Sequence, residues 1–215
     1  MHASSSCSTG LEITDLRFAY PRTPDRELFN ALSAPLAPGV TLIRGGDGCG
    51  KTTLLRLLAG ELMPTAGGLQ WTESGEALEK SNRARSVFWA DPSSDALDAL
   101  PVSDYLAVQR QRFSAFSDAV LADLAEGFRL EEHLHKPFFM LSTGSRRKVF
   151  LAAALASGAA LTLMDEPFAA LDAPSIRCVI SALRRATGDP ARMYVIADYA
   201  APENVPLSGV IDLGG

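Results

Sequence analysis

The chain has 215 residues, 47% of them hydrophobic and 21% charged, which suits one large domain with a buried core and excludes a disordered polypeptide. A formal net charge of −5 argues against a surface that grips nucleic acid or anionic lipid, so no nucleic-acid partner is expected. The three cysteines, Cys7, Cys49 and Cys178, are scattered without a CxxC spacing, which speaks against a disulfide framework or a structural zinc site and for a reducing compartment.

Residues 1–10 are serine-rich and lack the apolar segment of a signal peptide, so they read as a disordered tail ahead of a single folded domain over 11–215. The imperfect alternation of Leu11, Ile13, Leu16, Phe18 and Tyr20 predicts an opening strand, 21–25 a turn, and 27–38 a second strand and loop. Gly39 turns into the short apolar run Val40-Thr41-Leu42-Ile43, a candidate core strand. A glycine-rich loop follows, then an amphipathic helix over 51–59 that Gly60 is placed to end. Strands are expected at 67–71 and 87–90, the second running into Asp91-Pro92.

The stretch 93–140 is more polar and carries helical patterns at 102–113, 117–126 and 130–135, a small helical subdomain in which Ser117 is a candidate cap and Gly127 a candidate stop. The apolar run 149–164 falls short of the roughly 20 residues that a membrane span needs, and Ser157, Gly158 and Thr162 interrupt it. It is read as the end of a helix followed by a buried strand at 161–164, which leaves no integral membrane segment. A helix over 174–187, capped by Asp172, and a strand over 194–197 follow. Strands alternating with helices imply an α/β fold with a mostly parallel core sheet.

Gly45-Gly46-Asp47-Gly48-Cys49-Gly50-Lys51-Thr52 fits G-x-x-x-x-G-K-[ST], with an apolar strand before it and a helix after it. Glycines let successive backbone N–H groups converge on an anion, and the helix that starts at the loop adds its own free N–H groups. Lys51 would then bridge the β- and γ-phosphates of a nucleotide while Thr52 ligates Mg²⁺. The alternative is a glycine-rich turn that happens to precede Lys-Thr. A second element, Leu161-Thr162-Leu163-Met164-Asp165-Glu166-Pro167, is an apolar strand ending in two carboxylates. Ligands of open α/β sheets sit beyond the carboxyl ends of strands, which puts Asp165 in reach of the Mg²⁺ shell and Glu166 near an attacking water.

In this order the motifs resemble the nucleotide-binding subunit of ABC transporters, over nearly the whole chain. The segment 45–53, including Thr53, is similar to the Walker A loop, and 161–166 to the Walker B strand with its catalytic glutamate. Leu141-Ser142-Thr143-Gly144-Ser145 is similar to the LSGGQ signature, Phe168-Ala169-Ala170-Leu171-Asp172 to the D-loop, and Tyr20 to the aromatic that stacks on adenine. The likeness is greatest to small single-domain subunits such as the haem exporter ATPase of cytochrome c maturation.

The resemblance implies a P-loop NTPase fold with an N-terminal antiparallel β subdomain and a helical subdomain. It implies ATP and Mg²⁺ as ligands, and Glu166 and Lys51 as catalytic residues. It also implies a dimer, with an identical or related ATPase subunit, in which Ser142, Thr143 and Gly144 contact the nucleotide of the partner. An integral membrane permease would dock on the helical region, holding the chain peripherally on the cytoplasmic face of the membrane.

The sequence departs from the family in two loops. Its histidines are His2, His133 and His135, so none follows Glu166, and Asp198 matches the family's switch histidine. Asp91 matches the family's glutamine after the preceding strand and is a third candidate metal ligand. A carboxylate at Asp198 would repel a γ-phosphate, so a degenerate module that holds ATP with slow or no hydrolysis is the alternative function. A soluble ATPase acting on a non-membrane partner and a small-molecule kinase fit less well. Other residues take plain roles: Cys49 as a small loop residue, His133 and His135 at the surface, Arg146, Arg147 and Lys148 as a solvated first-turn face, and Trp71 and Trp89 in packing.

Overall fold

The computed structural model describes residues 10–73, 76–77, 86–91 and 94–214. The tail up to residue 9, and Ser93 at the start of the expected helical region, lie outside the described residues. In chain order the strands are β1 (Gly10–Ala19), β2 (Glu27–Leu36), β3 (Gly39–Arg44), β4 (Ala66–Glu73), β5 (Glu76–Ala77), β6 (Val87–Phe88), β7 (Leu161–Asp165), β8 (Met193–Asp198) and β9 (Leu207–Asp212). The helices are α1 (Lys51–Leu58), α2 (Val102–Arg112), α3 (Asp118–Phe128), α4 (Thr143–Ala156) and α5 (Ala173–Ala186).

The strands form two sheets. One is antiparallel, in the order β2-β1-β4-β5, and the other runs β6-β7-β8-β3-β9 with every neighbouring pair parallel. Period-two alternation along the parallel strands divides the interior into two layers. Ile43, Leu161, Leu163, Met193, Val195 and Ala197 pack with α1 and the antiparallel sheet, whose Leu11, Ile13 and Trp71 are buried there. Val40, Leu42, Met164, Tyr194 and Ile196 face the other way, into a core shared with Tyr105, Leu124, Phe128, Phe138 and Phe150 of the helical region. The helices of that region therefore pack on the sheet's second face through one continuous apolar core.

The long apolar run divides as expected. α4 ends at Ala156, Gly158 turns at φ +68°, and β7 begins at Leu161. A Cβ on Gly158 would lie 2.3 Å from the Ala115 carbonyl oxygen, so only glycine fits this turn. Val149 to Ala156 are all buried, which is why no polar face marks this half of the helix.

Two local expectations need correction, and one strand, β9, lies outside the expected elements. Gly127 lies inside α3, and the helix is closed two residues later by Arg129 in the left-handed conformation at φ +57°. The pattern at 130–135 forms only a single 3₁₀ turn, Glu131–His133. β9 carries no clear apolar signal, because its residues alternate between exposed and half-buried before Ile211. The opening strand starts at Gly10, and Ser117 caps α3 by accepting the Val120 N–H at 3.2 Å. Asp172 likewise caps α5 through the Ser175 N–H at 2.8 Å.

Candidate nucleotide site

β3 delivers the chain to the glycine loop, and α1 starts at its far end. Gly50 stands at the N-cap with φ +104° and no side chain caps the helix, so no side chain of the loop claims the first-turn amides. Lys51 is only 6% exposed, and its Nζ donates to the carbonyls of Gly45 at 2.8 Å and Gly46 at 2.9 Å. The loop is buttressed from the C-terminus, where Leu213 N–H donates to Arg44 O and Gly46 N–H to Gly214 O.

Parallel register brings the acidic strand ends to the same edge. Asp165 lies opposite Ala197, and Arg44 opposite Asp198, so β3, β7 and β8 end together. Thr52 Oγ1 donates to Asp165 Oδ2 at 2.6 Å, joining residues far apart in sequence. Burial, above all, raises the Asp165 carboxyl above its ordinary range; the Thr52 hydrogen bond opposes this, and the charges of Glu166 and Asp91 add to it. Glu166 sits in the left-handed region at φ +43°, with its N–H bonded to Ala197 O at 2.9 Å. Non-glycine residues at such angles concentrate at functional sites.

Thr52 and Asp165 offer the hard oxygen donors that Mg²⁺ takes, with Asp91 in electrostatic reach. Among the described residues no group of three or more His, Cys, Asp or Glu is arranged to hold a metal ion. Thr52 and Asp165 would make up part of a Mg²⁺ shell, which for this ion is ordinarily completed by water and substrate phosphate oxygens.

A cleft of about 480 Å³ opens over Lys51 and Thr52, bounded by Asp47, Gly48, Tyr20 and Glu166. Its volume is in the range of small-molecule sites. Tyr20 stands at the rim, 38% exposed, sharing a hydrogen bond of 2.8 Å with Thr53 Oγ1 and an edge-to-face contact with Phe18. Thr23, Arg26 and Leu28 also line the cleft, which the sequence did not indicate, since Thr23 and Arg26 lie in or beside a segment read only as a turn. The signal available was a cation a few residues from the candidate adenine-stacking tyrosine.

The signature residues lie elsewhere. Ser142 is the N-cap of α4, accepting the Ser145 N–H at 3.1 Å and donating to Ser145 Oγ at 2.9 Å. Ser142 and Thr143 are exposed and do not line the cleft of their own chain. Gly144 packs so closely on the 168–172 loop that a Cβ would lie 2.5 Å from Ala170 O.

The solvated-face reading of Arg146, Arg147 and Lys148 is overturned. Arg146 bonds Asp98 at 2.6 Å and the Ser94 carbonyl, with its side chain 14% exposed. Arg147 donates to Ala169 O at 2.6 Å, and Lys148 to Asp172 at 2.8 Å. These cations tie the first turns of α4 to the helical region on one side and to the loop after β7 on the other.

At the end of β8, Asp198 does not line the cleft. Its Oδ1 accepts the Tyr199 N–H at 2.7 Å, and burial, with Glu166 adding, raises its carboxyl. Tyr199 reaches the loop instead: its hydroxyl donates to Asp47, and its ring lies 4.3 Å from Lys51 Nζ. The Asp47 hydrogen bond is the main reason its phenol is pushed up to about 12. No motif contains Tyr199, so the sequence alone did not single it out. Of the histidines, His135 is exposed and His133 half-buried beside Lys136.

The sequence profile described as ABC transporter matches residues 29–169. The cytochrome c biogenesis ATP-binding export protein CcmA of Aromatoleum aromaticum is 33% identical over 195 residues, covering 88% of this chain and 89% of that protein. Its namesake in Zymomonas mobilis is 36% identical over 165 residues, covering 73% of this chain but 65% of that protein. A solved structure titled as a putative ABC transporter ATP-binding protein from Pyrococcus furiosus shares the fold, with a TM-score of 0.73 at 22% identity over 95% of this chain and 97% of that one.

Proposed function

This chain belongs to the ABC transporter family as an ATP-binding, ATPase-type subunit, and from that premise we propose that it binds Mg-ATP over Lys51 and, paired with a second ATPase subunit, powers a separate membrane permease. The observation that carries this reading is the Thr52–Asp165 hydrogen bond of 2.6 Å, which sets the acidic strand end in front of the glycine loop, with Glu166 bounding the same cleft. Lys51 and the loop amides bind the phosphates, and Tyr20 offers its ring at the rim to the base. Thr52 and Asp165 are the residues that would hold Mg²⁺, a cation that neutralises phosphate charge when bound. Glu166 orients and deprotonates water at the terminal phosphate.

The placement of the signature supports pairing. Ser142 and Thr143 are exposed on the N-terminus of a 14-residue helix and do not line the cleft over Lys51 in their own chain. With Gly144, they would close on the nucleotide of a second subunit, identical or related, and hydrolysis would release them. Among the described residues no helix is long and apolar enough to cross a membrane, and the relatives are named as export proteins. Both support a peripheral subunit on the inner face of a membrane, held by its permease.

A second reading, a module that holds ATP and hydrolyses it slowly, is favoured by one observation: the switch position carries the half-buried acid Asp198. Glu166→Gln separates the two. On the main reading, the purified variant loses phosphate release by at least about 100-fold, the range of a lost general base, and forms an ATP-dependent dimer in light scattering. A variant that binds ATP and stays monomeric sinks the paired mechanism. A wild-type chain that binds ATP and releases no phosphate establishes the second reading.

A further inference from the structure

We propose that Tyr199 sets the nucleotide affinity of the cleft, as a latch that engages Lys51 and Asp47 together and must let go before a triphosphate can bind; the ligand, though not the latch, rests on the ATPase reading above. Lys51 Nζ has three N–H bonds. Two are donated to the Gly45 and Gly46 carbonyls, and the Tyr199 ring lies 4.3 Å from the same ammonium. That distance is well inside the reach of a cation–π contact. The hydroxyl of the same side chain donates to the Asp47 carboxylate, a charge-assisted bond of the stronger kind. One residue at the end of β8 therefore holds both the cation and the acid of the glycine loop.

The direction of the effect follows from charge. A phosphate arriving at Lys51 competes with the carbonyls and the ring for the ammonium. It also meets the Asp47 carboxylate, which lines the same cleft and is held by the Tyr199 hydroxyl. Moving Tyr199 requires little rebuilding, because the residue is 51% exposed and belongs to neither apolar core. Its backbone is set by the Asp198 carboxylate, which accepts its N–H at 2.7 Å, so the chain turns and brings the ring over the loop. Tyr199 does not line the cleft itself, so it acts on affinity through Lys51 and leaves the cleft unfilled.

A direct phosphate ligand at the same place would act with the opposite sign, and the test uses this. Mg-ATP affinity is measured on the purified full chain for the wild type, Tyr199→Phe and Tyr199→Ala. The latch predicts tighter binding in both: about 3-fold for Phe, which keeps the ring on Lys51, and about 5- to 20-fold for Ala, which removes both contacts. Affinities unchanged or weakened in both variants overturn the proposal.

A second arm needs no nucleotide. The rate of Tyr199 nitration by tetranitromethane, read by mass spectrometry on the ligand-free chain, rises several-fold in Asp47→Ala if the hydroxyl is tethered there. An unmoved rate overturns the latch whatever the nucleotide data show. A positive nitration arm with no nucleotide bound by any variant overturns instead the ATPase reading, and with it the role in affinity.

Discussion

The glycine loop and the N-terminus of α4 are both built to present backbone amides, yet they differ in what completes them. The loop is finished within the chain: Asp165 reaches Thr52, Tyr199 reaches Lys51 and Asp47, and the C-terminal residues brace Gly46. The start of α4 is braced from behind by Arg146, Arg147 and Lys148, while its outer residues Ser142 and Thr143 face solvent. Ser142 spends its hydroxyl on capping its own helix. The difference teaches that the first region is completed by its own chain, whereas the outer residues of the second are left to solvent, where the proposed pairing would cover them.

The largest test of this contrast is Lys51→Met. Removing the only cation among the residues of the loop and first turn of α1 up to Thr53 should lower Mg-ATP hydrolysis by about 100-fold or more, the scale on which a preorganised charge acts at a reacting group. The far-ultraviolet circular dichroism should stay unchanged. Retained turnover would mean that the loop is not the phosphate site.

A smaller effect is expected at Ser142. Ser142→Ala loses the cap, at a cost of about 1 kcal/mol, and loses turnover. Ser142→Asp keeps a good cap but sets a negative charge where a partner's phosphate would lie. It should therefore unfold in urea near the wild-type midpoint while ATP-dependent dimerisation fails. Equal dimerisation in Ser142→Asp and wild type would reduce Ser142 to a capping residue.

The smallest effect tests the bracing through pH. Lys148, then the Ser175 contacts, hold the Asp172 carboxyl below its ordinary range. A carboxyl depressed in the folded state adds stability above its unfolded pKa and loses it as the pH falls through the folded value. Asp172→Asn should lower Tm at neutral pH, and the gap to wild type should close progressively as the solution is acidified below the ordinary carboxylate range. A gap constant across that range would mean that the charge of Asp172 contributes nothing beyond its cap.

Much of this is legible in the sequence, and the reason is local. The glycine loop, the strand Leu161–Asp165 and the caps Ser117 and Asp172 are each specified by neighbours a few residues away. The bracing role of Arg146, Arg147 and Lys148 is not legible in the sequence, because a cation in a first turn is usually solvated and their acceptors at 94, 98, 169 and 172 are set by packing. α3 stops at Arg129 in the left-handed conformation and not at Gly127, and its last residue, Phe128, is buried in the core.

The sequence by itself determined the family and the alternation of strands and helices, and it named the candidates for binding phosphate and metal. These depend on residue type and short-range spacing, which the chain carries directly. Only the tertiary structure decided that β8 inserts between β3 and β7, so that Tyr199 lands on Lys51 while Asp198 turns back to its own neighbour. It likewise decided that Arg26 lines the cleft and that Ser142 does not. Strand order and long-range register place those side chains, and neither is written in the spacing of adjacent residues.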